Sequence, residues 1–240
     1  MLIAVPSKGR AGVTTINKML PNICTFFIPK SEYHQYKGIV KKIEIVPNEI
    51  KGITATRNFI LKNTNDKNVV MLDDDVKNAG YVKRHKNNVN HIKLNTEPFW
   101  IDEFKKYFDL CDQLNYKIWG ITTDDSTKSA YSYKPIMFKT YALGSCMGII
   151  NDGSYYFNES FPVKEDYELS LRHIKQEGGI LGIKYLYWAN KHYKDEGGCK
   201  DYRTVKMERE CIKKLIEMYP GMIAKVKRKG SAFSLSLIHI

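Results

Sequence analysis

The run Val69-Val70-Met71-Leu72-Asp73-Asp74-Asp75 constrains the fold of this chain more than any other stretch. Four apolar residues closed off by charged, turn-prone ones read as a buried strand of a parallel sheet. Its C-terminal edge then carries three carboxylates, at the place where open α/β sheets bind ligands. Adjacent carboxylates repel one another unless a cation sits among them. Because extended backbone alternates, Asp73 and Asp75 are expected on one side, offering hard oxygens to Mg²⁺ or Mn²⁺, with Asp74 facing away. A solvated acidic turn is the competing reading.

Composition narrows the setting. A chain of 240 residues with 43% hydrophobic content suits one α/β domain with a proper core. Against 26 Asp and Glu stand 38 Lys and Arg, a formal charge of +12. Such a surface attracts polyanions, although Lys, Asn and Tyr also accumulate in proteins encoded by AT-rich DNA. The five cysteines, Cys24, Cys111, Cys146, Cys199 and Cys211, form no C-x-x-C pair, which speaks for reduced thiols and against a disulfide framework or a zinc site. Met1–Val5 is too short for a signal peptide's apolar core, and no apolar run reaches membrane-spanning length, so a soluble, cytoplasmic product is expected.

Along the first half, short apolar runs alternate with amphipathic segments, the signature of βαβ units. Strands are expected near Leu2–Val5, Thr25–Ile28, Ile43–Val46 and Val69–Leu72, with helices at Gly12–Met19, Ser31–Tyr36 and Thr54–Asn63. Lys77 to Lys93 is polar and basic, a hairpin or a mobile loop. Glu97–Asn115 has the pattern of a longer helix, with Pro98 tolerable in its first turn. The remainder reads as α+β, with strands at Lys117–Ile121, Ile136–Lys139, Ser145–Ile150 and Ile180–Leu186 and helices at Lys164–Gln176 and Val205–Tyr219. The last six residues, Leu235-Ser-Leu-Ile-His-Ile240, resemble a translated transposon end from sequencing-library preparation; they are expected to be an adapter-derived tail without structural weight.

Several groups could carry chemistry. Pro6-Ser7-Lys8-Gly9-Arg10-Ala11-Gly12 joins a strand to a helix with two glycines, two cations and a hydroxyl, a backbone able to cradle a diphosphate. Arg57, early in the third helix, projects toward the acidic edge, where it can neutralise Asp73–Asp75, hold a nucleotide, or simply cover the sheet. Glu165-Asp166 opens a helix whose dipole favours acids, and one of the two carboxylates is a candidate general base. His192 follows a strand and precedes Asp195-Glu196-Gly197-Gly198; a neutral imidazole there can complete a metal shell.

In this order, Pro6-Ser7-Lys8-Gly9-Arg10, Thr56-Arg57-Asn58, Leu72-Asp73-Asp74-Asp75, Lys164-Glu165-Asp166 and His192 resemble a GT-A glycosyltransferase over roughly residues 1–200. Compact size, basic charge and the Gly-Gly after the histidine are most similar to the TET/JBP-associated glycosyltransferases of phages. The resemblance implies a mostly parallel, Rossmann-like sheet flanked by helices, with a nucleotide-sugar half at about 1–95 and an α+β acceptor half at about 96–234. It further implies Mn²⁺ or Mg²⁺ on Asp73, Asp75 and His192. A UDP-linked sugar donor would be lined by Pro6, Ser7, Lys8, Arg10, Arg57, Asp73 and Asp74, the last directed at the ribose or a neighbouring arginine. Asp166 would be the base of an inverting transfer, in the host cytoplasm if the protein is phage-encoded.

The implied acceptor is a hydroxymethylated pyrimidine in DNA, for which Lys77, Lys83, Arg84 and Lys86 are the candidate contacts, with Lys225, Lys227, Arg228 and Lys229 as a second basic cluster. Solvated basic faces are the plainer reading of both clusters. Rival functions are a GT-A enzyme acting on polysaccharide or protein, a sugar nucleotidyltransferase, and a non-enzymatic DNA-binding module. The module leaves Asp73–Asp75, Asp166 and His192 without a reason to occur together.

Overall fold

Four strands build one half of the central sheet: β1 (Leu2–Pro6), β2 (Thr25–Pro29), β3 (Ile43–Val46) and β4 (Asn68–Leu72). Between them lie α1 (Ile16–Met19), α2 (Tyr33–Tyr36) and α3 (Ile53–Asn63). The structure is a computed structural model that describes residues 1–85, 88–94, 96–121, 134–190, 203–228 and 231–237. After β4 come the hairpin β5 (Val76–His85) and β6 (Asn88–Lys93), then α4 (Glu97–Leu114), β7 (Ile118–Ile121), β8 (Ile136–Met137) and β9 (Cys146–Ile150). The chain continues through α5 (Glu165–Glu177), β10 (Leu181–Ile183), β11 (Leu186–Asn190), α6 (Val205–Met218), β12 (Ile223–Arg228) and β13 (Ser231–Leu237).

Eight strands pair in the order β3-β2-β1-β4-β9-β7-β10-β8, with only β9 and β8 running against the rest. This is the expected mostly parallel sheet flanked by helices. Residues of β1 and β4 are apolar at successive positions because both faces are covered. Ile3, Val5, Val70 and Leu72 pack on the α4 side with Trp100 and Phe104, while Ala4, Val69 and Met71 pack with Ile60 and Leu61 of α3 and Leu169 of α5.

On α4 the buried residues Trp100, Phe104, Tyr107, Phe108 and Cys111 form one stripe at helical spacing, and the helix ends at Asn115 in the left-handed region. Trp188 of β11 meets Trp100 edge-on at 4.8 Å, and Phe104 stacks on Trp119 of β7 at 5.4 Å. Gly148 of β9 leaves room for the Trp119 indole, which would lie 2.1 Å from any Cβ placed there.

Three expectations need correction. The first helix is confined to Ile16–Met19, because Asp74 and Val76 bind the chain just before it: Thr14 Oγ1 and the Thr15 amide donate to the Asp74 carbonyl at 3.0 and 3.1 Å, and Thr15 Oγ1 donates to the Val76 carbonyl. The strand expected over Ile180–Leu186 is two strands in two sheets, since β10 joins β7 whereas β11 turns away to pair with β5. Leu235 and Leu237, expected to carry no structure, pair with Lys225 and Ile223 in the β12–β13 hairpin; the alternation Phe233, Leu235, Leu237 suits a strand. Lys77–Lys93 resolves as the hairpin of the two alternatives.

Candidate active site

The parallel sheet presents its C-terminal edge where β1 and β4 end, and there the acidic run meets the first loop. Asp74 is buried among elements of that loop. Its carboxylate accepts from Ser7 Oγ at 2.5 Å and from Arg10 Nη1 at 2.7 Å. Ser7 in turn accepts from the Tyr36 hydroxyl, whose oxygen receives the Arg10 amide at 3.1 Å. Gly9, at φ 68, supplies the left-handed turn, and its amide donates to Glu32. Pro6 closes β1, and Lys8 is exposed at the loop's tip. The loop is therefore built around Asp74, with Arg10 also 3.3 Å from Asp75.

Asp73 turns the other way, toward α3 and α5. Arg57 Nη2 lies 3.3 Å from its Oδ1, and Asn190 Nδ2 donates to its Oδ2 at 2.9 Å. Arg57 is only 2% exposed and also donates to Glu165 at 2.5 Å and to the Gly144 carbonyl at 3.2 Å. Of the roles open to Arg57, this geometry fits neutralising the carboxylates and not lining an open nucleotide pocket. A Cβ at residue 144 would come within 2.2 Å of the guanidinium, so only glycine admits it.

Gly144 uses its other backbone group on the candidate base: its amide donates to Asp166 Oδ2 at 3.0 Å, and the Tyr167 amide donates to Oδ1 at 2.9 Å. The beginning of α5 is fixed against α3 by Thr54, which donates to the Phe161 carbonyl, and by Asn58, which bonds both backbone groups of Phe157. One glycine peptide thus ties Arg57, and through it Asp73, to Asp166.

The expected sharing of one side by Asp73 and Asp75 does not hold. Strand geometry stops at Leu72 and residues 74–75 form a turn, so alternation lapses and Asp75 joins Asp74 on Arg10. Asp75 keeps one buried oxygen, Oδ1, with no hydrogen-bond partner among the described residues.

Asp73, Asp74, Asp75, Glu165 and Asp166 gather around the guanidiniums of Arg10 and Arg57, with Lys164 near Asp166 and Arg203 near Glu165. Burial pushes the Asp73 carboxyl up to about 8 and that of Glu165 up to about 7, with Arg57 opposing both shifts and neighbouring carboxylates adding to them. Asp73 nevertheless keeps 34% of its side chain exposed. Asp73, partly exposed on the Arg57 side, and Asp75, on the Arg10 side with one oxygen unpartnered among the described residues, are the carboxylates whose hard oxygens suit a divalent cation. Among the described residues no three His, Cys, Asp or Glu side chains converge as a complete metal site. The expected third ligand, His192, lies outside those residues.

Lys77 and Lys83 are exposed on β5, and Arg84 belongs to the same strand, while Lys86 is outside the described residues. Lys225 is exposed on β12 and, with Arg209 and Lys213, lines a shallow hollow of roughly 250 Å³ beside α6; no carboxylate cluster attends it. Lys229 also falls outside the described residues. Sequence reasoning missed Gly144 and Asn190. Nothing local distinguishes Gly144 from other glycines, whereas Asn190, at the end of an apolar strand two residues before His192, offered a positional hint.

The model of the TET-associated glycosyltransferase family matches residues 1–198. Among solved structures, glucosyl-3-phosphoglycerate synthase from Mycobacterium tuberculosis, crystallised with Mn²⁺, UDP-glucose and phosphoglyceric acid, is 11% identical with a TM-score of 0.55, covering 90% of this chain and 78% of its own. S. aureus TarS 1–349 in complex with UDP-GlcNAc is 13% identical with a TM-score of 0.52, covering 90% and 67%. In another TarS 1–349 structure the chain spans 60% of the length, at 12% identity, 79% coverage of this chain and a TM-score of 0.46. The first two likenesses establish a GT-A fold. No curated protein matches the sequence.

Proposed function

The chain belongs to the TET-associated glycosyltransferase family and is a glycosyltransferase; on that footing we propose that it moves a sugar from a UDP-linked donor to a hydroxymethylated pyrimidine in DNA, inverting the anomeric centre. The observation carrying this reading is the sheet edge where Asp73, Asp74, Asp75 and Glu165 meet Arg10 and Arg57 and Gly144 joins the Asp73 side to Asp166.

Asp73 and Asp75 hold the cation, and Lys8, Ser7 and the main chain at Pro6–Arg10 shape the bed of the nucleotide. When bound, Mn²⁺ or Mg²⁺ offsets the charge that grows on the departing diphosphate. Asp166 accepts the proton of the acceptor hydroxyl as that oxygen bonds the anomeric carbon and the bond to the diphosphate breaks. Its two main-chain N–H donors fix the carboxylate's direction, and the loss of that base in Asp166→Asn is expected to lower kcat by roughly 10²–10⁴.

For the acceptor, the hairpin β5–β6 leads directly out of the acidic edge with Lys77, Lys83 and Lys93 exposed, and Tyr81 is exposed among them. Lysines of this kind meet phosphates without regard to sequence, and an aromatic ring offers a face to a base. A target base in duplex DNA would be flipped out so that its hydroxymethyl group reaches Asp166.

The test is to incubate the protein with sugar nucleotides, Mn²⁺ and DNA containing hydroxymethylcytosine or hydroxymethyluracil, then weigh the released nucleosides. A hexose or pentose increment with the anomeric configuration opposite to the donor's is expected. Donor hydrolysis with every DNA unmodified would instead favour a polysaccharide or protein acceptor. Release of inorganic diphosphate from a nucleoside triphosphate would favour a nucleotidyltransferase.

A further inference from the structure

Asn190 is the last residue of β11 and is 6% exposed. In its pairing with β5, the register shifts between Ala189 and Asn190, so that Asn190 stands opposite Val76, the residue next to the acidic run. The extra residue of this irregularity is Lys77 on β5, so β11 keeps its alternation and the shift brings the end of the acidic run opposite Asn190. Here the carboxamide reaches Asp73: Nδ2 donates to Asp73 Oδ2 at 2.9 Å. Its other atom, Oδ1, is buried and has no hydrogen-bond partner among the described residues. A buried amide oxygen left unsatisfied costs free energy, which a strand end next to solvent would ordinarily relieve by turning outward. The only other orphaned side-chain oxygen of this acidic edge among the described residues is Asp75 Oδ1. Among the described residues, two hard oxygens at this edge, one anionic and one neutral, are therefore without partners.

We propose that Asn190 is a ligand-sphere residue of the divalent cation: its amide N–H fixes Asp73, and its carbonyl oxygen is the neutral donor that accompanies the carboxylates. Neutral amide oxygens are ordinary partners of Mg²⁺, Mn²⁺ and Ca²⁺, and they add a donor without adding repulsion to a run that already carries three acids. This inference rests on the reading of Asp73 and Asp75 as cation ligands and adds a residue that neither charge nor motif singled out.

The experiment measures Mn²⁺ affinity of the full chain by electron paramagnetic resonance, without donor or acceptor, in the wild type, Asn190→Leu and Asn190→Asp, with melting temperatures recorded alongside. Asn190→Leu is expected to weaken Mn²⁺ binding about 10–100-fold. Asn190→Asp, which keeps an oxygen but loses the N–H bond to Asp73, is expected to stay within about threefold of the wild type or bind more tightly. Broadening of the Asn190 side-chain NH₂ resonance at substoichiometric Mn²⁺ is expected in the unaltered protein, so the proposal survives any variant that does not fold. Equal affinity in Asn190→Leu and wild type, equal weakening in both variants, or an unbroadened Asn190 resonance would overturn it while leaving the Asp73–Asp75 site standing. A wild type that binds no Mn²⁺ would overturn both readings.

Discussion

Asp74 and its two neighbours share a sequence and a strand end, yet they live in opposite circumstances. Asp74 is enclosed by Ser7 and Arg10, with its backbone carbonyl taken by Thr14 and Thr15. Asp73 lies between Arg57 and Asn190 with 34% of its side chain exposed, and Asp75, 3.3 Å from Arg10, keeps one oxygen without a partner among the described residues. One carboxylate is consumed in holding the first loop to the sheet, and each of the other two is only partly engaged. Three acids in a row thus divide by partner, Asp73 to Arg57 and Asp74 and Asp75 to Arg10, and the divider is the turn that begins after Leu72.

Substitutions can break this contrast. The largest expected effect falls on stability: Asp74→Ala leaves Arg10 partly buried without its main partner and should cost about 3 kcal/mol in urea unfolding. Asp73→Asn and Asp75→Asn should do the reverse, cutting Mn²⁺ affinity on the order of 100-fold, about 2.7 kcal/mol. Their melting temperatures should equal or exceed the wild type's, because each removes a charge from a crowded acidic edge. If Asp74→Ala were the variant that lost Mn²⁺ and kept its stability, the division of roles would be reversed.

Gly144→Ala probes the link between the two halves of the site. A methyl group driven into Arg57 should cost about 1–3 kcal/mol, and by shifting the amide that holds Asp166 it should lower kcat more than it raises KM. Steady-state kinetics with saturating donor separate the two. The smallest effect belongs to a carboxylate in neither class: Asp152, held by Lys117 at 2.9 Å and by the Ser154 amide, has its carboxyl lowered to about 2. A depressed folded value means stability that is present above the unfolded value near 4 and lost as pH falls through about 2. With both partners about a third exposed, Asp152→Asn should remove about 1 kcal/mol or less, and only above pH ~4.

Much of the first half was legible because local pattern and burial agree there. Val69–Leu72 is continuously apolar since both faces of β4 are covered, and α4 declares itself through one stripe from Trp100 to Cys111. The sequence was opaque where distant partners decide. Gly12–Thr15 has no local reason to stay out of a helix, but the backbone of Asp74 and Val76, some 60 residues away, claims its polar groups. Likewise nothing near Lys184 announces that the chain leaves one sheet for another; β11 is fixed by β5, about a hundred residues earlier. Of the site, the acids, Arg10 and Arg57 were visible by type and order. Gly144 and Asn190 were not, because their roles rest on main-chain groups and on pairing with a strand about a hundred residues earlier.

On the proposed reading Asp73 and Asp75, and not Asp74, form the cation seat through which the donor's diphosphate is held. Calorimetric titration of UDP into the wild type and Asp75→Asn, each with Mn²⁺ and with EDTA, tests this seat. UDP binding by the wild type with Mn²⁺ is expected, lost with EDTA and lost in Asp75→Asn. UDP binding of equal strength in EDTA, or undiminished in Asp75→Asn, would contradict it.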